Sequence, residues 1–306
     1  MVAGVTTLGI AREMKPLTAV EIDQPRVAFA HDRDDGFRWG GVMYCCPDTA
    51  AEFVVLLGTD ESNHTWPRMS DRDPPDPRFL IVNADDLGLS EAVNAGIAEA
   101  HERGIVTSAS LMVRQGAAPA AADYAAAHPA LAVGLHIDLG QWDYVNGEWM
   151  AAYERCAPDD EAAVEAECRA QLDGFRRLLN RDPTHLDSHQ HTHMSEPVAS
   201  VAERLATELG APLRGRRGIR YEGGFYGQTG KGEAVPDAIS VDSLIQVLSS
   251  LPGGWTELGC HPGLGMREES SYGREREVEV RALRDPRVRE AIEAEGIELR
   301  SFAQVD

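Results

Sequence analysis

Cysteine, basic charge and long apolar runs are all scarce in this chain, and each shortage closes off a class of protein. The five cysteines (Cys45, Cys46, Cys156, Cys168 and Cys260) are an odd number at irregular spacing with no Cys-x-x-Cys among them. That argues against both a disulfide framework and a thiolate zinc site, and the thiols are expected to be reduced. Lysine and arginine together number 29 against 50 aspartates and glutamates, a formal net charge of −21. A field of that sign repels polyanions, so neither nucleic acid nor an anionic membrane is expected as a partner. No apolar run approaches membrane-spanning length, and the first residues, Met1–Ala11, lack the basic start of a secretory signal. The expected setting is cytoplasmic.

Histidine, by contrast, is concentrated. The segment His185-Leu186-Asp187-Ser188-His189-Gln190-His191-Thr192-His193 holds four of the chain's ten histidines and one aspartate, all five at odd positions. In a strand, alternation turns His185, Asp187, His189, His191 and His193 to one face. A lone histidine is more often a hydrogen-bonded core or surface residue. Four beside a carboxylate are costly to bury unless a cation organises them, so this face is a candidate metal site.

One strand cannot wrap around an ion, and two further segments offer ligands. Arg78-Phe79-Leu80-Ile81-Val82-Asn83-Ala84-Asp85-Asp86-Leu87-Gly88-Leu89-Ser90 is an apolar run ending in two carboxylates, followed by a serine suited to capping a helix. Ala132 to Leu139 repeats the design, with His136 and Asp138 expected on one face and Leu135, Ile137 and Leu139 on or near the other. A fourth strand, Trp255 to Cys260, delivers His261 to its carboxyl end, where Pro262 and Gly263 stop it. Polar groups at the carboxyl ends of apolar strands are where α/β enzymes keep their chemistry.

In order, Ile-Val-Asn-Ala-Asp-Asp-Leu-Gly-Leu-Ser (81–90), Gly-Ile-Val-Thr-Ser-Ala-Ser-Leu-Met-Val (104–113), Gly-Leu-His (134–136), Thr-His-Leu-Asp-Ser-His-Gln-His-Thr-His (184–193) and Cys-His-Pro (260–262) resemble the YdjC-like family of carbohydrate deacetylases. Its named branches are the ChbG-type chitooligosaccharide and HpnK-type hopanoid-associated enzymes. The resemblance runs from Phe79 to Phe302. Leu87 replaces the Phe more usual in the Asp-Asp-Phe-Gly motif, and Gln190 stands where a further His is common; neither change touches a ligand position.

The resemblance implies one divalent metal ion held by Asp86, His136 and His189, with Asp85 as general base and His261 as candidate general acid. Such a site leaves positions open for a water and for a substrate carbonyl oxygen. Asp187 is expected to orient a ligating imidazole, and His191 and His193 to lie behind the ligands or against substrate. His185 is assigned a packing role. Imidazole ligands favour zinc while family members are described with magnesium, so either ion remains open.

After residue 78 the chain alternates strands and helices. Helices are expected around Asn94–Arg103, over Glu161–Asn180 with Cys168 in its apolar stripe, over Pro197–Leu209, over Ser240–Leu251 and over Arg274–Glu295, with Ile297-Glu298-Leu299 as a short last strand. Alternating units imply a mostly parallel sheet but do not separate a barrel from an open doubly wound sheet. The resemblance implies an α/β fold, a distorted (β/α) barrel of the glycoside hydrolase/deacetylase type with a small N-terminal extension. Residues 78–306 would then form the deacetylase domain and residues 1–77 the extension, with Asp71–Pro77 as a Pro/Asp-rich linker. Short strands are expected at Ala19–Ile22, Arg26–Ala30, Gly41–Tyr44 and Glu52–Leu57. Three roles stay open for this piece: a β-rich appendage docked on the barrel, a contact in a homo-oligomer, or a leader from an upstream start.

Following the His136 strand, Gln141 to Trp149 is read as a loop over the site, with Trp142 and Tyr144 as candidates for stacking on sugar faces or for anchoring the loop. Tyr226, in Gly223–Gly227, is expected to border the cleft. Arg214, Arg216 and Arg217 cluster before it, one of them suited to steadying Asp85 or a substrate oxygen. The expected activity is metal-dependent removal of N-acetyl groups from an amino sugar, a chitooligosaccharide or related glycoconjugate. A metal phosphoesterase on the same ligands and a non-catalytic sugar-binding protein are the alternatives.

Overall fold

The structure, a computed structural model, describes residues 27–31, 38–44, 52–56 and 76–305, apart from 217 and 266–271. The chain divides into two compact units, Met1–Arg72 and Asp73–Asp306. In the first, β1 (Val27–His31), β2 (Arg38–Tyr44) and β3 (Glu52–Leu56) form an antiparallel sheet with β2 in the middle. The expected strand at Ala19–Ile22 and most of the expected linker, Asp71–Pro75, lie outside the described residues.

The second unit alternates strand and helix. Its elements are β4 (Arg78–Leu87), α1 (Glu91–Glu102), β5 (Ser108–Leu111), α2 (Ala118–Ala127), β6 (Ala132–Ile137), β7 (Gly140–Val145), β8 (Glu148–Glu154), α3 (Glu161–Leu179), β9 (Leu186–Ser188), α4 (Val198–Leu209), β10 (Ile219–Glu222), α5 (Val241–Ser250), β11 (Gly254–Cys260), α6 (Arg274–Leu283), α7 (Pro286–Ala294) and β12 (Ile297–Arg300). Four helices start where a side chain satisfies their first amides: Ser90 caps α1, Asp160 α3, Ser240 α5 and Asp285 α7. Among the described residues no helix is long and apolar enough to cross a membrane.

Seven strands form one parallel sheet in the order β10-β11-β4-β5-β6-β9, with β12 pairing the first half of β4 and β5 the second. The sheet curls into a distorted β/α barrel. Alternation along each strand sorts the residues: Leu80, Val82 and Ala84 join the large apolar cluster packed against the helices, whereas Ile81, Asn83 and Asp85 face inward. Ile81, Ala132, Ile219 and Phe302 plug the amino-terminal end of the interior. Above them the interior turns polar, with Ser110, His185, Asp187, Arg214 and Glu257 all buried.

Four sequence expectations are corrected. The histidine-rich segment is not one strand: β9 stops at Ser188 and a 3-10 helix runs His189–Met194, with left-handed backbone at Gln190 (φ 50°) and His191 (φ 53°). Ser188 Oγ holds both the amide (2.9 Å) and Nδ1 (2.6 Å) of His193, which closes the turn and scatters the histidines. Asp138 does not share a site with His136, because Arg155, Tyr153 and Gln115 hold its carboxylate in a separate network. Gln141–Trp149 lies in a β7–β8 hairpin rather than a loop, turned by Asn146 and Gly147 at φ 54° and 92°. The single helix expected over Arg274–Glu295 is two, since Pro286 lacks an amide hydrogen and Asp285 caps a fresh start.

Candidate active site and metal centre

Asp85 and Asp86 are neighbours in sequence, and in a regular strand they would face opposite ways. The register of β4 shifts between Ala84 and Leu87 and Asp86 takes a left-handed φ of 66°, so both carboxylates reach the barrel mouth. Such a conformation costs an aspartate on the order of 1 kcal/mol or more, a strain the surrounding contacts must hold in place.

Asp86 Oδ1 is the meeting point of two imidazoles, with His189 Nδ1 at 3.0 Å and His136 Nε2 at 3.4 Å. The other carboxylate oxygen, Oδ2, takes a bond of 2.6 Å from Arg276 Nη2. Behind His136, Asp187 Oδ1 accepts Nδ1–H at 2.8 Å, and Ser110 Oγ donates to Asp187 Oδ2 at 2.6 Å. His189 Nε2 lies 2.6 Å from Gln141 Oε1. The ligand atoms of Asp86, His136 and His189 all lie within 4.8 Å of one another.

This set fits a divalent cation on its own chemistry. With Nδ1–H of His136 given to Asp187 and Nε2–H of His189 given to Gln141, each ring turns a bare nitrogen lone pair toward the same carboxylate oxygen. Three electron-rich atoms facing one another are repulsive until a cation sits between them. Without an ion the need for positive charge falls on protons: burial opposes charge on His136, but Asp187, Asp86 and Asp85 outweigh it and raise its pKa well above the ordinary value. Burial likewise pushes Asp86 up, and Arg276 and His189 reverse this, so its carboxyl sits well below the usual range.

Asp85 stands beside this cluster. Arg214 grips it with Nη1–Oδ2 at 2.7 Å and Nη2–Oδ1 at 2.6 Å, and Asn83 donates to Oδ1 at 2.9 Å. Burial raises the Asp85 pKa, but Arg214 overcomes it and the net shift is downward. The same guanidinium meets Asp187 Oδ2 at 2.8 Å and Glu257 Oε1 at 2.7 Å, one cation for three buried carboxyls. Burial pushes Glu257 up to about 7 even so.

His261 Nε2 lies 3.8 Å from Asp85 Oδ2. Its ring sits edge-on to Tyr226 (centroids 5.1 Å apart) and Tyr272 (5.6 Å), and Glu279 accepts its backbone amide. Burial drives the His261 pKa down to about 4 despite Asp85 and Asp86. The ring is therefore neutral at pH 7.

Of the residues singled out from sequence, Asp85, Asp86, His136, Asp187, His189 and His261 come together here, with Tyr226 at the edge. His191 turns to Tyr221 (Nε2 to OH, 3.4 Å) and His193 back to Ser188. His185 stacks on Phe302 with centroids 3.8 Å apart. Trp142 packs half-buried against the core, and Tyr144 lies edge-on to Trp149 at 5.3 Å. Arg276, Glu279, Tyr272, Gln141, Asn83 and Ser110 were not anticipated. Glu257 carried a visible signal, an acid inside an otherwise apolar strand; Arg276 carried none, being one of several charged residues in α6.

The fold and this cluster define the class: a β/α-barrel enzyme whose polar centre lies at the carboxyl ends of its strands. The YdjC-like protein family model matches residues 79–294, and the chain belongs to that family. It is 34% identical over 250 residues to a carbohydrate deacetylase of Geobacillus stearothermophilus, covering 74% of this chain and 98% of that one. A chitooligosaccharide deacetylase of Citrobacter koseri is 35% identical over 262 residues, covering 74% and 99%. Among solved structures, an Enterococcus faecalis protein described as a cellobiose-phosphate cleavage protein superposes with a TM-score of 0.60 at 28% identity, covering 74% of this chain and 98% of that one.

Proposed function

We propose that this protein is a metal-dependent carbohydrate deacetylase that removes an N-acetyl group from an amino sugar, a chitooligosaccharide or related glycoconjugate. The observation that carries the reading is the convergence of Asp86 Oδ1, His136 Nε2 and His189 Nδ1 beside a separately held carboxylate, Asp85. A divalent ion, magnesium or zinc, bound by those three residues would polarise the acetyl carbonyl and make a bound water acidic near neutral pH.

The remaining work belongs to the chain. Asp85 takes the proton of the attacking water; Arg214 keeps it ionised and fixes both its oxygens. The leaving amine needs a proton, and His261 is the donor. Being neutral at rest, His261 has to collect that proton during turnover, and Asp85, 3.8 Å away and protonated by the first step, is its source. Asp187 holds the His136 ring by Nδ1–H. The acidic surface suits a neutral or amino-sugar substrate, and a cytoplasmic setting belongs to the same reading.

The test is acetate release from diacetylchitobiose by metal-stripped protein, titrated back with zinc and with magnesium, beside Asp85→Asn. Expected is ion-dependent acetate from the wild type and a loss of at least about 10²-fold in the variant with ion binding retained. No acetate with either ion would overturn the substrate assignment; full activity in the variant would remove Asp85 as the base.

A further inference from the structure

We propose that the β7–β8 hairpin is part of the metal centre: Asp143 and Gln141 form a hydrogen-bonded relay that holds His189 as its Nε2–H tautomer and so makes Nδ1 the metal-binding atom. The inference rests on the metal site proposed above and assigns residues to it that the ligand set does not include.

The atoms leave little choice. A carboxylate only accepts hydrogen bonds, so the Gln141 atom 2.8 Å from Asp143 Oδ1 is its amide nitrogen. The amide oxygen is then the atom 2.6 Å from His189 Nε2. An amide oxygen also only accepts, so the hydrogen lies on Nε2. Reversing the amide would set oxygen against carboxylate at one end and lose the acceptor at the other. Asp86 Oδ1, 3.0 Å from Nδ1, is also an acceptor, so a proton bridges that contact until an ion takes its place; the imidazole that keeps Nε2–H then presents its lone pair on Nδ1. His136 is held the opposite way round by Asp187, so the two rings offer different nitrogens to one point.

The hairpin is built and fastened for this. The β7–β8 register shifts between Gln141 and Trp142, a bulge that re-aims one side chain. Gln190, next to His189 and in left-handed backbone, accepts from the Trp142 amide at 2.9 Å and donates to the Trp142 carbonyl at 2.8 Å. Its amide pairs with the strand as another strand would. The hairpin backbone is thereby locked beside the ligand whose tautomer Gln141 sets.

The test reads the tautomer directly, in zinc-loaded protein with ¹⁵N-labelled histidine, by long-range ¹H–¹⁵N correlation. Zinc and magnesium titrations follow on the same samples after the ion is stripped. Expected are Nε2–H at His189 in the wild type, a mixed or Nδ1–H population in Gln141→Ala, and ion affinity weakened about 10–100-fold. Gln141→Glu alone opposes Asp143 and should weaken binding. Adding Asp143→Asn restores donor to acceptor, and the pair should recover both the tautomer and the affinity. Nδ1–H at His189 in the wild type, or an unchanged tautomer in Gln141→Ala, would overturn the relay. His189→Ala is the separate control: unaltered ion binding there would overturn the metal site itself, whereas its loss with Gln141→Ala unaffected would overturn the relay alone.

Discussion

Arg214 meets Asp85 fork to fork, two parallel bonds of 2.7 and 2.6 Å made wholly inside the barrel. Its third nitrogen, Nε, lies 2.8 Å from Glu257, and Asp187 is within reach of the same guanidinium. The arginine therefore both holds Asp85, the proposed base, and supplies positive charge to three buried carboxyls.

Arg214→Ala strands three buried carboxyls without their cation, and a loss of about 3–5 kcal/mol is expected in denaturant unfolding. Arg214→Lys keeps the charge but not the fork. Since Arg214 lowers the Asp85 pKa, weakening the pair raises it, and Asp85, the proposed base, is ionised only at higher pH. The acidic limb of the pH–rate profile of Arg214→Lys should move upward; an unmoved limb would separate Arg214 from Asp85 in catalysis.

Asp86, His136 and His189 should be individually necessary for the ion. Asp86→Asn, His136→Ala and His189→Ala are each expected to lose bound metal by elemental analysis after equilibration with zinc, while Asp85→Asn keeps it. Full stoichiometry in both histidine variants would remove those residues from the site.

Gly134 stands two residues before His136 on the inward face of β6, where a Cβ would lie 2.5 Å from the His185 ring. That ring is already stacked on Phe302, which opposes its retreat. Gly134→Ala is expected to destabilise by about 1–3 kcal/mol through overpacking, with a lower melting temperature as the readout. A melting temperature equal to the wild type's would mean that the interior yields there.

His185 also gives the fold a pH dependence. Burial lowers its pKa to about 4, so between pH about 6.5 and 4 the unfolded chain binds a proton that the folded one refuses. Its stabilising contribution is fully present above pH 6.5 and is lost as pH falls, up to about 3 kcal/mol at pH 4. His185→Phe keeps the stack on Phe302 and removes the proton site. Unfolding free energies compared from pH 7 to pH 4.5 should fall less steeply in the variant; parallel slopes would sink the assignment.

The features legible in the chain were those written in consecutive residues. The apolar run of β4 ending in Asp85 and Asp86, the helical stripe of α3 around Cys168 and the Gly-Leu-His of β6 each carry their own periodicity. Asn146-Gly147 was a hairpin signal inside what was read as a loop, and Pro286 was a visible break inside what was read as one helix. The turn after Ser188 was harder, since histidine at every second position does look like a strand. It folds back because Ser188 captures His193 and Gln190 pairs with Trp142.

By itself, then, the sequence determined the strand–helix alternation, the identity of the acids and histidines at the strand ends, and the net negative charge. These follow from local spacing and composition, which act before any distant contact forms. Only the tertiary structure decided which arginine serves which carboxylate: Arg214 is 129 positions from Asp85 and Arg276 is 190 from Asp86. Curling the sheet buries those charges together. Burial makes an unpaired charge too costly to keep, so the partners are chosen by geometry in the dry interior, where spacing along the chain carries no information.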